Sequence, residues 1–310
     1  MSENNFFPKD ETILGLKIDV DTYRGTKKGI PALIKLLNSE GIKATFFLSI
    51  GPDNMGRHIW RILKPKFFIK MFRGKAAKLY GWDILFKGFL WPGPDIGKIL
   101  RKILRLPAKF GHEVALHAYD HHKWQKKISK FTPQQVKEQF DMANRRWKKI
   151  FNTLPNAAGA PGWQLSEEWL KYADSEACSD IKYRSDTRGS SCCYPRYNGQ
   201  VFKKLQIPTT LPTYDEVIGR NGVTNEDYNE YILSQIEPGQ LNVLTIHTEA
   251  EGIVCLKMFK EFIQSCKQRR IKIVSLGDIY ERVKTTQKVL NLHMEEIPGR
   301  EGQLALLKHS

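Results

Sequence analysis

No run of apolar residues in this chain reaches the roughly 18 that a membrane-spanning helix needs, so any membrane contact is expected to be peripheral. Cysteine is scarce and unpatterned. The five cysteines, Cys178, Cys192, Cys193, Cys255 and Cys266, are odd in number and fit neither a zinc-ribbon spacing nor a disulfide framework. They are read as reduced thiols, which points to the cytosol. Residues 1–12 are expected to be a polar extension, because Met1 to Glu11 lacks both the basic and the apolar stretch of a secretory signal. Neither repeats nor low-complexity tracts are visible. Acids are outnumbered: 33 Asp and Glu face 49 Lys and Arg, a formal net charge of +16 over 310 residues. That balance favours an anionic partner, whether nucleic acid, an anionic membrane or a phosphorylated substrate, and is silent on fold.

What is present is a globular chain, 41% apolar and 11% aromatic, long enough for one large domain or two small ones. Short apolar runs predict strands at Ile13–Val20, Ala44–Ile50, Glu113–His117, Gln206–Leu211, Leu241–Ile246 and Ile271–Ser275. Between most of them the period is helical. Leu33, Leu36 and Leu37 share a face of a helix over Pro31–Glu40, with Gly41 as its C-cap. Thr132 and Pro133 supply the N-cap and first residue of a second helix. Thr224 and Asn225 are expected to open a third, and Val254 to Arg270 a fourth. Alternating strand and helix predicts a parallel α/β fold, barrel or open sheet. Residues 284–310, with weak periodicity, are expected to be a tail packed on the domain.

Five separated pieces can carry chemistry. Ile18-Asp19-Val20-Asp21 closes the first strand with two carboxylates. His117-Ala-Tyr-Asp-His121 has the spacing that puts two imidazoles on one helical face, suited to a divalent metal, with His122 a rival to His121. Gly159-Ala-Pro-Gly-Trp163 is a tight turn, Tyr183-Arg-Ser-Asp186 offers the charged pair Arg184 and Asp186, and Leu244-Thr-Ile-His247 ends a strand on histidine. Each alone is ordinary. Together they set Asp and His at several strand ends, the functional face of an α/β barrel.

The order IDVD, H-x3-H, P-G-W, a Tyr/Asp segment, then a strand ending in I-H resembles the polysaccharide deacetylases over roughly residues 13–280. Asp19–Thr26, Gly51–His58, Leu79–Ile84, Leu211–Arg220 and Gly299–Gly302 resemble one branch of that family. It comprises the deformylases of undecaprenyl-phosphate 4-deoxy-4-formamido-L-arabinose, used in lipid A modification. The undecaprenyl-phosphate N-acetylgalactosamine deacetylases are a sister branch. The resemblance implies a distorted (β/α) barrel over residues 13–283, with fewer than eight regular strands. It implies a divalent metal ion (Zn, Co, Mn or Ni) on Asp21, His117 and His121, with Asp19 as general base and His247 as general acid. Arg24, Arg57, His58, Trp163, Arg184, Asp186 and Glu249 are candidates for substrate contact or support, Asp186 or Glu249 orienting the His247 ring. The implied substrate is an N-acyl amino sugar on undecaprenyl phosphate. Where many family members carry an arginine that steadies the base, this chain has Gly159; either Arg184 or Arg188 steadies Asp19 instead or the base has a different pKa, and a lipid-sugar binding protein without catalysis is the alternative reading.

Arg57 to Trp91 breaks the alternation. It holds nine Lys or Arg, nine aromatics and a single acid, Asp83. Residues 52–97 are therefore read as a membrane-associating insertion, its cations on an anionic leaflet and its aromatics in the interfacial zone. Lys98, Arg101, Lys102, Arg105 and Lys109 extend it around Ile99, Leu100, Ile103 and Leu104. A buried insertion with a basic rim is the alternative. Nucleic acid is not expected, since no module for it is recognisable. A protein of this kind is expected on the cytoplasmic face of a bacterial inner membrane.

Overall fold

The computed structural model describes residues 7–54, 93–220, 222–298, 300 and 302–309. The aromatic-rich segment Arg57–Trp91, with Arg57 and His58, lies outside the described residues. Strand and helix alternate as the periodicity predicts. The chain runs β1 (Thr12–Val20), α1 (Ile30–Ser39), β2 (Thr45–Ser49), β3 (Glu113–Ala118), α2 (His121–Lys127), α3 (Pro133–Phe151), β4 (Ala157–Ala158) and α4 (Glu167–Ala173). It continues through β5 (Tyr183–Arg184), β6 (Tyr194–Tyr197), β7 (Gln200–Val201), β8 (Leu205–Gln206), α5 (Tyr214–Val217), α6 (Tyr228–Leu233) and β9 (Val243–His247). It ends with α7 (Leu256–Gln268), β10 (Ile271–Val274), α8 (Leu276–Val283), β11 (Val289–Glu296) and β12 (Gln303–Lys308).

Eight strands form one parallel sheet in the order β10-β1-β2-β3-β4-β5-β8, with β9 also paired to β1. The sheet curls into a distorted barrel, and its seam is irregular. Past β8 the amides of Thr210 and Leu211 both donate to the Val243 carbonyl at the start of β9. The strand predicted at Gln206–Leu211 is thus regular only at Leu205–Gln206. Its remainder stays in register through Ile207 and Thr209, whose amides donate to Arg184 and Thr187.

Alternation along the strands separates two cores. Leu14, Leu16, Ile18, Phe46, Leu48, Leu116, Leu244 and Ile246 pack outward with the helices. Ile13, Phe47, Ala115, Ala157, Tyr183, Leu205 and Val243 fill the inside. α1 contributes Leu33, Leu36 and Leu37 to the outer layer, and Gly41 takes the left-handed conformation (φ +69°) that stops it. α3 opens on a capping box between Thr132 and Gln135 with Pro133 in its first turn. The helix expected from Thr224 begins at Tyr228, because the Thr224 amide and hydroxyl both donate to Asp227 and close a turn instead. The helix expected over Val254–Arg270 spans Leu256–Gln268, preceded by a wide helical turn at Ala250–Val254.

From Lys284 onward the chain makes the hairpin β11–β12, which joins β6 and β7 in a four-stranded sheet. Arg188 and Leu307 exchange this hairpin with the loop after β5: Arg188 N–H donates to Ala305, and Leu307 N–H donates to Arg188. Residues 96–109 form three single helical turns that bury Ile96, Leu100 and Leu104 and leave Lys98, Ile99, Arg101, Lys102, Arg105 and Lys109 exposed. All five cysteines are buried free thiols. Among the described residues no helix is long and apolar enough to cross a membrane.

Candidate active site

β1 carries Lys17 and Asp19, and Asp21 follows directly past its carboxyl end; at a spacing of two, all three address the barrel interior. β3 delivers His117 beside them. His121 arrives by a different route from the helical face its spacing suggested. His117 is on the strand, and His121 is the first residue of α2. Between them Asp120 caps the helix by accepting from Lys123 N–H (2.9 Å), and its other oxygen accepts from Asn54 (2.7 Å). That pinned turn folds the second imidazole back over the first. His122 stays out of the cluster.

Asp21 Oδ1 lies 3.3 Å from His117 Nε2 and 3.4 Å from His121 Nε2. Among the described residues these three make a group with ligand atoms all within 4.8 Å of one another. Atoms sharing an ion at about 2.1 Å have separations of this order. The chemistry of the group fits a divalent cation. His117 Nδ1 is 2.8 Å from the Gly159 carbonyl, which fixes the proton there and leaves Nε2 with a free lone pair. Asp21 Oδ1 and His117 Nε2 are buried without hydrogen-bond partners among the described residues, an arrangement that costs stability unless an ion satisfies them. Two imidazoles and one carboxylate suit Zn, Co, Mn or Ni.

Charges in this space act on one another. Burial would push Asp21 up, but His121, His117 and His247 outweigh it and hold the carboxyl well below its ordinary range. Burial depresses His121 to about 4 despite Asp21. Burial also works against a charged His117, yet Asp19 and Asp21 bring its pKa above the ordinary value. His247, at the end of β9, is likewise opposed by burial and raised by Asp21, Asp215 and Asp19. Glu249, one of the partners expected for this ring, lines the same pocket and acts on it electrostatically. Glu249 accepts from the amide and hydroxyl of Thr22 (3.0 and 2.6 Å), clamping the turn after β1 to the end of β9. Gly25 permits that clamp, since a Cβ there would sit 2.0 Å from Glu249 Oε1. Burial raises Glu249 to about 7, with Asp21 adding to the effect. Glu251 accepts from the His247 amide (2.9 Å).

Arg184 and Asp186 form a buried ion pair, with Arg184 also over the Trp169 ring (4.2 Å) and Asp186 accepting from Ala160 N–H (2.7 Å). Arg188 reaches both oxygens of Glu216 (2.8 Å each). The cation beside Asp19 is instead Lys17, 3.8 Å from its Oδ1. Trp163 is buried in the pocket wall, its indole N–H donating to Thr209 (3.1 Å), between Arg188 and Arg300, each 4.8 Å from the ring. Arg300 belongs to the C-terminal hairpin and also binds Glu216 (2.7 Å) and Thr213 (2.6 Å). Arg24, half-buried at the turn after β1, is not among the pocket's lining residues, which include Asp19, Asp21, His117, His121, Trp163, Tyr214, Asp215, His247, Glu249 and Arg300. Lys17, Asp215 and Arg300 escaped sequence reasoning. For Lys17 a signal existed: a lysine inside an apolar strand, in phase with both carboxylates.

A cation site walled by acids and imidazoles at strand ends is the equipment of a metal-dependent hydrolase. The sequence model described as polysaccharide deacetylase matches residues 10–176. A "Probable 4-deoxy-4-formamido-L-arabinose-phosphoundecaprenol deformylase ArnD" of Shewanella sediminis is 42% identical over 95% of this chain and 94% of its own length. Its namesake from Wigglesworthia glossinidia brevipalpis is 38% identical over 91% of this chain and 97% of its own. This chain belongs to the polysaccharide deacetylase family. A polysaccharide deacetylase structure from Mycobacterium smegmatis shares the fold at a TM-score of 0.57 and 14% identity, over 93% of this chain and 96% of that one. The family match ends before His247 and Arg300, which the described structure brings to the same pocket.

Proposed function

We propose that this chain is a metal-dependent amide hydrolase that removes the formyl group from 4-deoxy-4-formamido-L-arabinose carried on undecaprenyl phosphate. The observation that carries the reading is the Asp21, His117 and His121 cluster, with Asp19 and His247 facing it from neighbouring strands paired Asp19 to His247 in register. The two relatives, similar over nearly the whole chain, support the formyl group and the lipid carrier.

An amide carbonyl is a weak electrophile and its leaving amine a poor one, so both need help. Asp21, His117 and His121 would hold a divalent cation, which when bound supplies a Lewis acid for the carbonyl and acidifies water. Asp19 Oδ2 points toward the cluster, 3.9 Å from His117 Nε2, and takes the proton of the attacking water. His247 donates a proton to the departing nitrogen. An imidazole can carry that proton near neutral pH. Trp163 and Arg300 line the pocket where the sugar would approach, with Arg188 against the Trp163 ring.

A polyprenyl substrate places the work at a membrane surface, here the cytoplasmic face of a bacterial inner membrane. Exposed Lys98, Arg101, Lys102 and Lys109 around the exposed Ile99 and Phe110 support docking on an anionic leaflet, as does the composition of Arg57–Trp91. Liposome flotation tests this: stronger flotation with anionic lipid is expected, and none on any vesicle would end the docking reading. The activity is tested by mass spectrometry of the lipid-linked sugar after incubation with protein and Co²⁺, Mn²⁺, Zn²⁺ or Ni²⁺. Loss of the elements of carbon monoxide marks deformylation. Loss of the elements of ketene would move the substrate to an N-acetyl sugar. No change with any metal would leave a lipid-sugar binding protein without catalysis.

A further inference from the structure

We infer that Lys17 is the positioning cation of the base Asp19, held beside it from two residues earlier on β1; the inference rests on the hydrolase reading above.

Lys17 is fully buried, with its ammonium 3.0 Å from the Ser185 carbonyl and 3.8 Å from Asp19 Oδ1. The Phe47 ring lies 4.7 Å from it and the Trp163 ring 5.6 Å. A charge here is expensive to desolvate, and a leucine or methionine would fill the same volume without that cost. What the ammonium adds is a fixed partner for Asp19. Among the described residues Oδ1 has no hydrogen-bond partner and faces Lys17, while Oδ2 faces His117 at 3.9 Å. The cation thereby divides the carboxylate, one oxygen held and the other presented to the cluster.

Gly159 supports the same assignment. A Cβ built there would stand 2.7 Å from the Phe47 ring and 3.0 Å from the Ser185 carbonyl oxygen. Those are two of the groups that Lys17's ammonium touches. A side chain leaving residue 159 would therefore compete for the space beside Asp19 that Lys17 occupies. Gly159 keeps its own duty through its carbonyl, which accepts from His117 Nδ1.

The test compares Lys17→Met, Lys17→Arg and Lys17→Gln for formate or acetate release, bound metal per chain and thermal melting. Lys17→Met is expected to keep its metal and KM while kcat falls about 10–100-fold, the usual loss when a supporting partner is removed. Lys17→Arg, which keeps the charge, should recover most of that loss. Lys17→Gln, which keeps only a donor toward Ser185, should not. Wild-type kcat in Lys17→Met, loss of metal alongside activity, or equal recovery by Gln and Arg would each overturn the inference. If Lys17→Met does not fold, the comparison of Arg with Gln decides. A wild-type protein that releases neither acid would instead sink the hydrolase reading. The nitrogen resonance of the Lys17 ammonium then still decides the pairing: Asp19→Asn should shift it, and an unmoved signal refutes the contact.

Discussion

Asp19→Asn and Asp21→Asn make the same chemical change two residues apart at the end of β1, and they should fail in different ways. Asp21 Oδ1 sits 3.3 and 3.4 Å from the two imidazole nitrogens, whereas Asp19 Oδ2 is 3.9 Å from His117 alone and Oδ1 faces Lys17. Only Asp21 therefore bridges both histidines. Its loss removes a negative ligand and should weaken metal binding by more than the roughly 10–100-fold that loss of an outer partner costs. Asp19→Asn keeps shape and volume but cannot accept a proton. It should lower kcat by about 10²–10⁴, or about 2.7–5.4 kcal/mol at 1.36 kcal/mol per tenfold, with one metal ion per chain retained. Plasma mass spectrometry of dialysed protein gives the metal, and single-turnover release of acid gives the rate. An empty site in Asp19→Asn with a loaded one in Asp21→Asn would reverse the two roles. Metal retained in both would show that the histidines hold it alone.

His247→Ala should cost about 10²–10⁴ in rate with metal retained, as expected for an acid–base group, and a variant near wild-type rate would make His247 structural. In chelator-treated protein, NMR should find His121 titrating near 4 and His247 above the ordinary 6.5. By linkage, the stability from neutral His121 is full above its unfolded value and lost as pH falls through about 4, while that from charged His247 is full at low pH and lost as pH rises through its raised value. An ordinary His121 would refute its burial. Arg300→Ala leaves Arg188 as the one guanidinium on Glu216 among the described residues and removes the guanidinium that Arg300 sets over Trp163, so it should destabilise the protein by about 1–3 kcal/mol and raise KM without releasing metal.

Much of the site was legible in one dimension because local order encodes it. Asp19 and Asp21 fall at the end of the first predicted strand, and His247 ends a strand whose apolar run predicts it. The pairing of His117 with His121 was also correct in outcome, though its cause was not a helix face. The turn that joins them is built by Asp120 and Asn54, 66 positions apart, and no spacing reveals such a contact. The late start of α6 has a local cause that was misread: Asp227 captures Thr224 before a helix can begin.

The sequence by itself determined the α/β alternation, the strand-end placement of the acids and imidazoles, and the family, since each rests on residue order along short stretches. Only the tertiary structure decided which cation serves Asp19 and which groups wall the pocket. Arg184 or Arg188 was the expected partner of Asp19, but Arg184 turns to Asp186 and Trp169 and Arg188 to Glu216, while Lys17 is held in place by Ser185, 168 positions away. Arg300 reaches the pocket because the terminal hairpin pairs with the loop after β5 and lays its guanidinium on Trp163. Such contacts depend on how a curled sheet brings distant strand ends together, and burial then sets the strength of every charge it encloses.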